Sequence, residues 1–331
     1  MQCAACLFSP LSDVVALTEV ANTKSRVRLA ECMLLLVALM WGMNPPVIKL
    51  GLQHIPPLPY NVARMVVGSL FALGALWLSG TWRRPSRADL GVLLRTSIFG
   101  FFVFQIFFTE GIQRTTSGNA AFMFCLLPVF VLLLNRFFGF DSINRAVVVG
   151  IACSMAGIAL IVIGAGKEVS LAGRHLLGAF LVLLSQVGYA YYTVFSKELL
   201  DRYSTYQVTA SMMIVTTVML LAVSVPEMRS VDWTALPASA WGSVVFSAVF
   251  GLCLGNFLWI WGSGVIGTSR ASVFNNLTPV FAVVAAYFLL GETFGLTQVA
   301  GAVCVFGGVY ITRNRDRFLR RNAVPSQAER A

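Results

Sequence analysis

Apolar residues in this chain are gathered into long runs separated by short polar segments. The runs fall at about 30–49, 60–80, 92–112, 115–134, 146–165, 176–196, 206–225, 238–262, 271–290 and 294–312. No Asp, Glu, Lys or Arg interrupts the stretch between Arg145 and Lys167, or that between Arg270 and Glu292. Roughly 20 apolar residues are what an α-helix needs to cross a hydrocarbon core of about 30 Å, and a helix satisfies its own backbone hydrogen bonds there. The pattern predicts an all-α integral membrane protein with ten transmembrane helices. Residues 1–28 read as a cytoplasmic N-terminal tail and 313–331 as a basic cytoplasmic tail. Lys24, Arg26 and Arg28 stand immediately before the first run, whereas a signal peptide carries its positive charge first.

Composition agrees with a bilayer environment. Hydrophobic residues make up 57% and charged residues 11% of the chain, with a mean hydropathy of +0.78; soluble domains carry about 25% charged residues. The net charge of +10 does not point to nucleic acid, because the 24 Lys and Arg lie almost entirely between the apolar runs and not on one face, with Arg64 left in the membrane. They report topology. With the N-terminus inside, Lys24, Arg26, Arg28, Arg83, Arg84, Arg87, Arg95, Arg136, Arg145, Lys197, Arg202, Arg270 and the arginines of the last tail all face the cytoplasm. Only Lys49, Arg114, Lys167, Arg174 and Arg229 face outward, which orients both termini inside. Cys125, Cys153, Cys253 and Cys304 lie within apolar runs as small core residues, and Cys3 with Cys6 lacks the further ligands a metal needs.

The chain repeats itself. One constant offset pairs Pro128-Val129-Phe130 with Pro279-Val280-Phe281, Asp141 with Glu292, Gly150 with Gly301, Cys153 with Cys304 and Gly157 with Gly308. A slightly shorter offset pairs Lys49 with Lys197 near the ends of the first and sixth runs. The halves extend over 29–165 and 175–312. Five spans per half is an odd number, so the halves are inverted relative to one another, the plan of secondary transporters that expose a central site alternately to the two sides.

Several stretches carry a family resemblance: Trp41-Gly42-Met43-Asn44 followed by Lys49, Pro59 through Arg64, Thr115-Thr116-Ser117-Gly118-Asn119-Ala120-Ala121, and Leu290-Gly291-Glu292. Together they resemble the drug/metabolite transporter superfamily, specifically its EamA-type members, over residues 30 to 312. The resemblance implies two inverted five-helix EamA-like repeats with both termini cytoplasmic. It also implies export or exchange of a small metabolite, often an amino acid or a derivative, across a bacterial inner membrane. Two departures stand out. Gly139-Phe140-Asp141 takes the place of Leu-Gly-Glu in the first half, and Pro45-Pro46 follows Asn44.

Candidate chemistry sits inside the runs. Pro45 and Pro46 predict a kinked or broken first helix that turns Asn44 toward a cavity, and Pro128 and Pro279 mark comparable irregularities in the fourth and ninth spans. Polar amides at membrane depth are expected to face the bundle interior. That selects Gln186, Asn256, Asn275 and Asn276, with Trp41, Tyr189 and Trp259 as aromatic wall, while Tyr191, Tyr192 and Trp261 also suit packing or an interfacial belt. Arg64 is open to three readings: snorkelling to the interface, meeting a substrate carboxylate as Lys49 also could, or pairing with Glu110 as an outer gate. The glycines at 68, 74, 150, 157, 301, 307 and 308 read as close helix contacts.

The absences are informative too. Gly166-Lys167 lacks the context of a phosphate-binding loop, and His54 and His175 both fall in loops, so neither a nucleotide-driven pump nor a catalytic centre is predicted. No cofactor and no metal are expected. The implied partners are a small-molecule substrate and the lipid bilayer. An uptake permease of the same fold, or a lipid-modifying membrane enzyme, is the alternative.

Overall fold

The computed structural model describes residues 9–115, 120, 123–140, 145–164, 173–281 and 295–313. Within them the chain is helical: α1 (Ser9–Gly51), α2 (Pro57–Ser79), α3 (Arg87–Arg114), α4 (Leu127–Phe137), α5 (Arg145–Gly164), α6 (Gly173–Leu200), α7 (Thr205–Met228), α8 (Ala238–Ile266), α9 (Thr268–Phe274) and α10 (Leu296–Arg313). Seven stretches among the described residues are long and apolar enough to cross a membrane, and two shorter apolar helices span Leu127–Phe137 and Val299–Thr312. The fourth and ninth expected spans run partly outside the described residues. So do Cys3, Cys6, Thr116 to Asn119, Ala121, Asp141, Lys167, Leu290-Gly291-Glu292 and the basic tail from 314.

Local chemistry explains where the helices begin and end. Proline at the first positions of α2 needs no backbone donor, and Gly80 closes that helix with φ +61°. Ser86 caps α3 by accepting from the Asp89 amide at 3.1 Å, and Ser204 caps α7 by accepting from the Gln207 amide at 3.2 Å. Helix α1 continues N-terminally past its apolar run, so the tail expected over 1–28 is helical from Ser9 onward.

One expectation is corrected. α1 is not broken at Pro45-Pro46; it runs through both prolines to Gly51. Each proline costs a hydrogen bond, but flanking helices support such a stretch in a membrane bundle. Here α8 packs along it, and the Trp41 indole donates to the Gly251 carbonyl at 3.0 Å. The irregular backbone lies instead in α3 and α8, where π-helical turns occupy Thr96–Phe102 and Ser247–Leu254. Such insertions widen the helix locally and recur at functional sites.

The principal packing partners are α5 with α10, α3 with α6, α2 with α7 and α1 with α8. α5 and α10 run antiparallel with their backbones touching: a Cβ on Gly157 would lie 2.5 Å from the Gly301 carbonyl, and one on Gly308 would lie 2.4 Å from that of Gly150. Cys153 donates to the Cys304 carbonyl between these contacts, from 151 residues away. Ser69 of α2 meets Thr217 of α7 at 2.9 Å, 148 residues apart. The glycine expectation holds for these α5 and α10 positions and fails for Gly74, where an added methyl meets nothing within 4 Å.

Close backbone approach makes these glycines unequal under mutation. Gly157→Ala forces the seam apart and is expected to cost about 1–3 kcal/mol, as overpacking does, visible as a lowered thermal midpoint of the detergent-purified protein. Gly74→Ala is expected to leave that midpoint unchanged or to raise it, because alanine is the better helix former by about 1 kcal/mol.

Candidate functional site

Between the helices lies a cavity. Its polar lining comes from α1 (Asn44), α2 (Arg64), α6 (Gln186), α8 (Asn256), and the segment after α9 (Asn275 and Thr278). Its apolar lining comes from Trp41 and Pro45 of α1, Phe104 and Phe108 of α3, Phe124 just before α4, and Tyr189 of α6.

Arg64 is the dominant charge. It is the eighth residue of α2, about 10 Å along the helix from its start, and is 1% exposed. Snorkelling is thereby excluded. Its guanidinium donates from Nε to Asn61 Oδ1 at 2.8 Å, from Nη1 to Ser247 Oγ at 3.1 Å and from Nη2 to Gln105 Oε1 at 2.6 Å. The Phe108 ring centroid lies 5.6 Å from its Cζ. All of these partners are neutral. The alternative pairing with Glu110 is not formed, because Glu110 pairs with Arg114 one turn along α3. The same hydrogen bonds anchor Arg64 to the π-helical turn of α8 through Ser247.

An aromatic cluster forms one wall. Trp41 meets Tyr189 edge-on with centroids 5.5 Å apart, and Trp259 lies 5.2 Å from Trp41 and 5.9 Å from Tyr189. Tyr189 donates to Asn256 Oδ1 at 3.2 Å, and Trp259 donates to Thr193 Oγ1 at 3.1 Å. Phe104 extends the cluster, 4.7 Å from Tyr189 and 5.0 Å from Phe108. These spacings suit edge-to-face and tilted contacts, which stiffen the wall.

The sequence-selected residues divide. Trp41, Asn44, Pro45, Arg64, Gln186, Tyr189, Asn256 and Asn275 meet at the cavity. Trp259 stands behind it as a buried support. Asn276 is fully buried away from the lining, and Pro279 is buried next to it. Pro128 sits in the first turn of α4, where proline is tolerated. Pro46, Lys49 and Glu110 do not reach the cavity. Tyr192 is packing, 4.9 Å from Phe101, and Tyr191 stacks on Phe195 at 4.2 Å.

Sequence reasoning missed Asn61, Gln105 and Ser247, which hold the guanidinium, and Phe104, Phe108 and Phe124. A signal for Gln105 existed: the repeat register that pairs Cys153 with Cys304 also pairs Gln105 with Asn256. For Asn61 the signal was its place one helical turn before Arg64.

Some buried polar atoms have no partner among the described residues: Asn44 Oδ1, Gln105 Nε2, Thr278 Oγ1 and both amide atoms of Asn276. The first three belong to the cavity or to the cradle around Arg64. At the end of the bundle where α3 begins and α6 ends, ion pairs join helices: Arg95 with Glu198 and Arg202 with Asp89, each at 2.8 Å.

Comparison with known proteins supplies a context for this geometry. The profile of the EamA-like transporter family matches the chain twice, over residues 28–163 and 176–314. An "uncharacterized transporter" of Archaeoglobus fulgidus is 31% identical over 279 residues, covering 84% of this chain and 96% of that protein. A "probable terminal-alkyne amino-acid exporter" of Streptantibioticus cattleyicolor is 27% identical, covering 88% and 95%. A "probable amino-acid metabolite efflux pump" of Salmonella typhimurium is 28% identical, covering 84% and 92%. A solved crystal structure shares the fold at a TM-score of 0.72 over 88% of this chain and 98% of that one, with 17% identity.

The buried cradle predicts opposite outcomes for two substitutions. Gln105→Leu leaves a guanidinium donor unpaired and is expected to cost about 1–3 kcal/mol or more. Thr278→Val removes an already unpartnered hydroxyl and is expected to be neutral or stabilising. Thermal unfolding of the purified variants measures both.

Proposed function

Because the chain belongs to the EamA-like transporter family, whose members are multi-pass membrane transporters of small molecules and not enzymes, we propose that it exports an amino acid or a related metabolite by alternating access. The fold we infer for this task has ten transmembrane helices arranged as two inverted five-helix repeats, with both termini in the cytoplasm of a bacterium and the protein in its inner membrane. The observation that carries the reading is the make-up of the cavity. Trp41, Asn44, Arg64, Phe104 and Phe108 come from the first profile-matched segment, and Gln186, Tyr189, Asn256 and Asn275 come from the second. A site built between two such segments changes its exposure when one segment rocks against the other.

Several contacts support the repeat. Hydrogen bonds connect residues 151 apart at Cys153–Cys304, Ser154–Val305 and Asn275–Phe124. The π-helical turns of α3 and α8 occupy corresponding positions, Thr96–Phe102 and Ser247–Leu254. The ion pairs near Arg95 and Asp89 act as the closed cytoplasmic gate in this reading. Export as the direction takes its support from the names of the Streptantibioticus and Salmonella relatives. Uptake through the same site is the second reading.

Cells producing the protein are expected to tolerate toxic amino-acid analogues and to accumulate the exported metabolites in their medium. Asn44→Leu, at normal membrane abundance, is expected to slow that accumulation about tenfold, the effect of losing one site hydrogen bond. Untargeted metabolite profiling of the medium measures both. Depletion of the same solutes from the medium supports uptake, and no change in any metabolite sinks the transporter assignment to small solutes.

A further inference from the structure

Arg64 carries a full positive charge among neutral groups. A guanidinium has five N–H donors; three are engaged by Asn61, Ser247 and Gln105, which leaves two. No Asp or Glu is among the described residues lining the cavity. Among the described residues the charge therefore stands uncompensated inside the bundle, where a carboxylate brought alongside gains a strong, geometrically specific pairing.

We propose that the cavity is a carboxylate site selective for monoanionic solutes with an apolar body, with Arg64 as its specificity-determining residue and with no need for an α-ammonium group. The proposal rests on the transporter reading above only in taking this cavity as the substrate site. It differs from a general amino-acid site in one respect: the ammonium group of an amino acid finds no negative charge here. It meets only neutral acceptors such as Asn44 Oδ1 and the aromatic faces of Trp41 and Tyr189. An N-acylated or deaminated acid retains the group that Arg64 recognises and loses only the group that the site leaves unbalanced.

Gln105 strengthens the argument. Its Oε1 already touches Arg64 Nη2 at 2.6 Å, yet its Nε2 is buried without a partner among the described residues. A glutamate at this position would fill both needs, satisfying the arginine internally and removing the orphan donor. The amide instead keeps the cation available to an incoming anion. Phe104, Phe108 and Phe124 supply the apolar walls against which the rest of such a solute packs.

The test uses the detergent-purified protein and four phenyl probes followed by tryptophan fluorescence, since Trp41 lines the cavity and Trp259 packs on it. N-acetylphenylalanine, a monoanion, is expected to bind at least as tightly as zwitterionic phenylalanine. It is also expected to bind about tenfold or more tightly than its neutral amide, the worth of a charge-assisted bond, with cationic phenylalanine amide weakest. Arg64→Lys is expected to keep the acid-over-amide preference at reduced affinity. Gln105→Glu is expected to unfold no earlier than the wild type and to lose that preference. The proposal is overturned if acid and amide bind the wild type equally, if phenylalanine outbinds its acetylated form tenfold, if the folded Gln105→Glu variant retains the preference, or if none of the probes binds. Acid-selective binding by a protein that moves nothing in the export assay would sink the transporter reading and leave the carboxylate site standing.

Discussion

A guanidinium buried at the depth of Arg64 has to be hydrogen bonded by its own protein, because lipid offers nothing in exchange for water. The cost of placing arginine at the centre of a bilayer span is about 2.5–3.5 kcal/mol on insertion scales. That cost is met here by Asn61 from the same helix, Gln105 from α3 and Ser247 from α8. One side chain thereby ties three helices together and sets the electrostatic character of the cavity they enclose. The aromatic cluster around Trp41 and Tyr189 gives the same space a stiff apolar wall.

Much of the architecture was legible in the sequence because a bilayer imposes simple rules. Helix positions follow from run length, and the close seam between α5 and α10 was marked by Gly150, Gly157, Gly301 and Gly308. The polar cavity residues were legible as well, since amides such as Asn44, Gln186, Asn256 and Asn275 are too costly to face lipid. Other features had no local signature. A π-helical turn adds a residue to a helix without changing its composition, so those at Thr96–Phe102 and Ser247–Leu254 look like ordinary apolar helix. The double proline suggested a break, yet α1 stays helical through it with α8 packed alongside. Which acceptors surround Arg64 is a tertiary question that hydropathy does not address.

The contacts at the two π-helical turns mirror one another. Gly100 of α3 lies against the Tyr192 backbone of α6, and Gly251 of α8 lies against the Asn44 side chain of α1, each so close that a Cβ would sit within 3.0 Å. The two pairs use equivalent positions of the two segments, yet they are chemically unlike. In one the neighbour is the backbone of a buried tyrosine, and in the other it is a side-chain amide that faces the cavity. The family profile matches both segments, and divergence at such equivalent positions puts polarity at one of them and not at the other.

The α5–α10 seam has a different consequence. Where backbones approach through Gly150, Gly157, Gly301 and Gly308, only small side chains such as Cys153, Ser154 and Thr312 reach across, so the contact has little room to rearrange. The α3–α6 interface shares this close backbone approach at Gly100, Gly111, Gly178 and Gly188, whereas α1 meets α8 largely through Leu34, Trp41 and Asn44, side chains that possess alternative rotamers. Rotamer freedom therefore resides at the α1–α8 interface, and the glycine seams serve as the keel beside it.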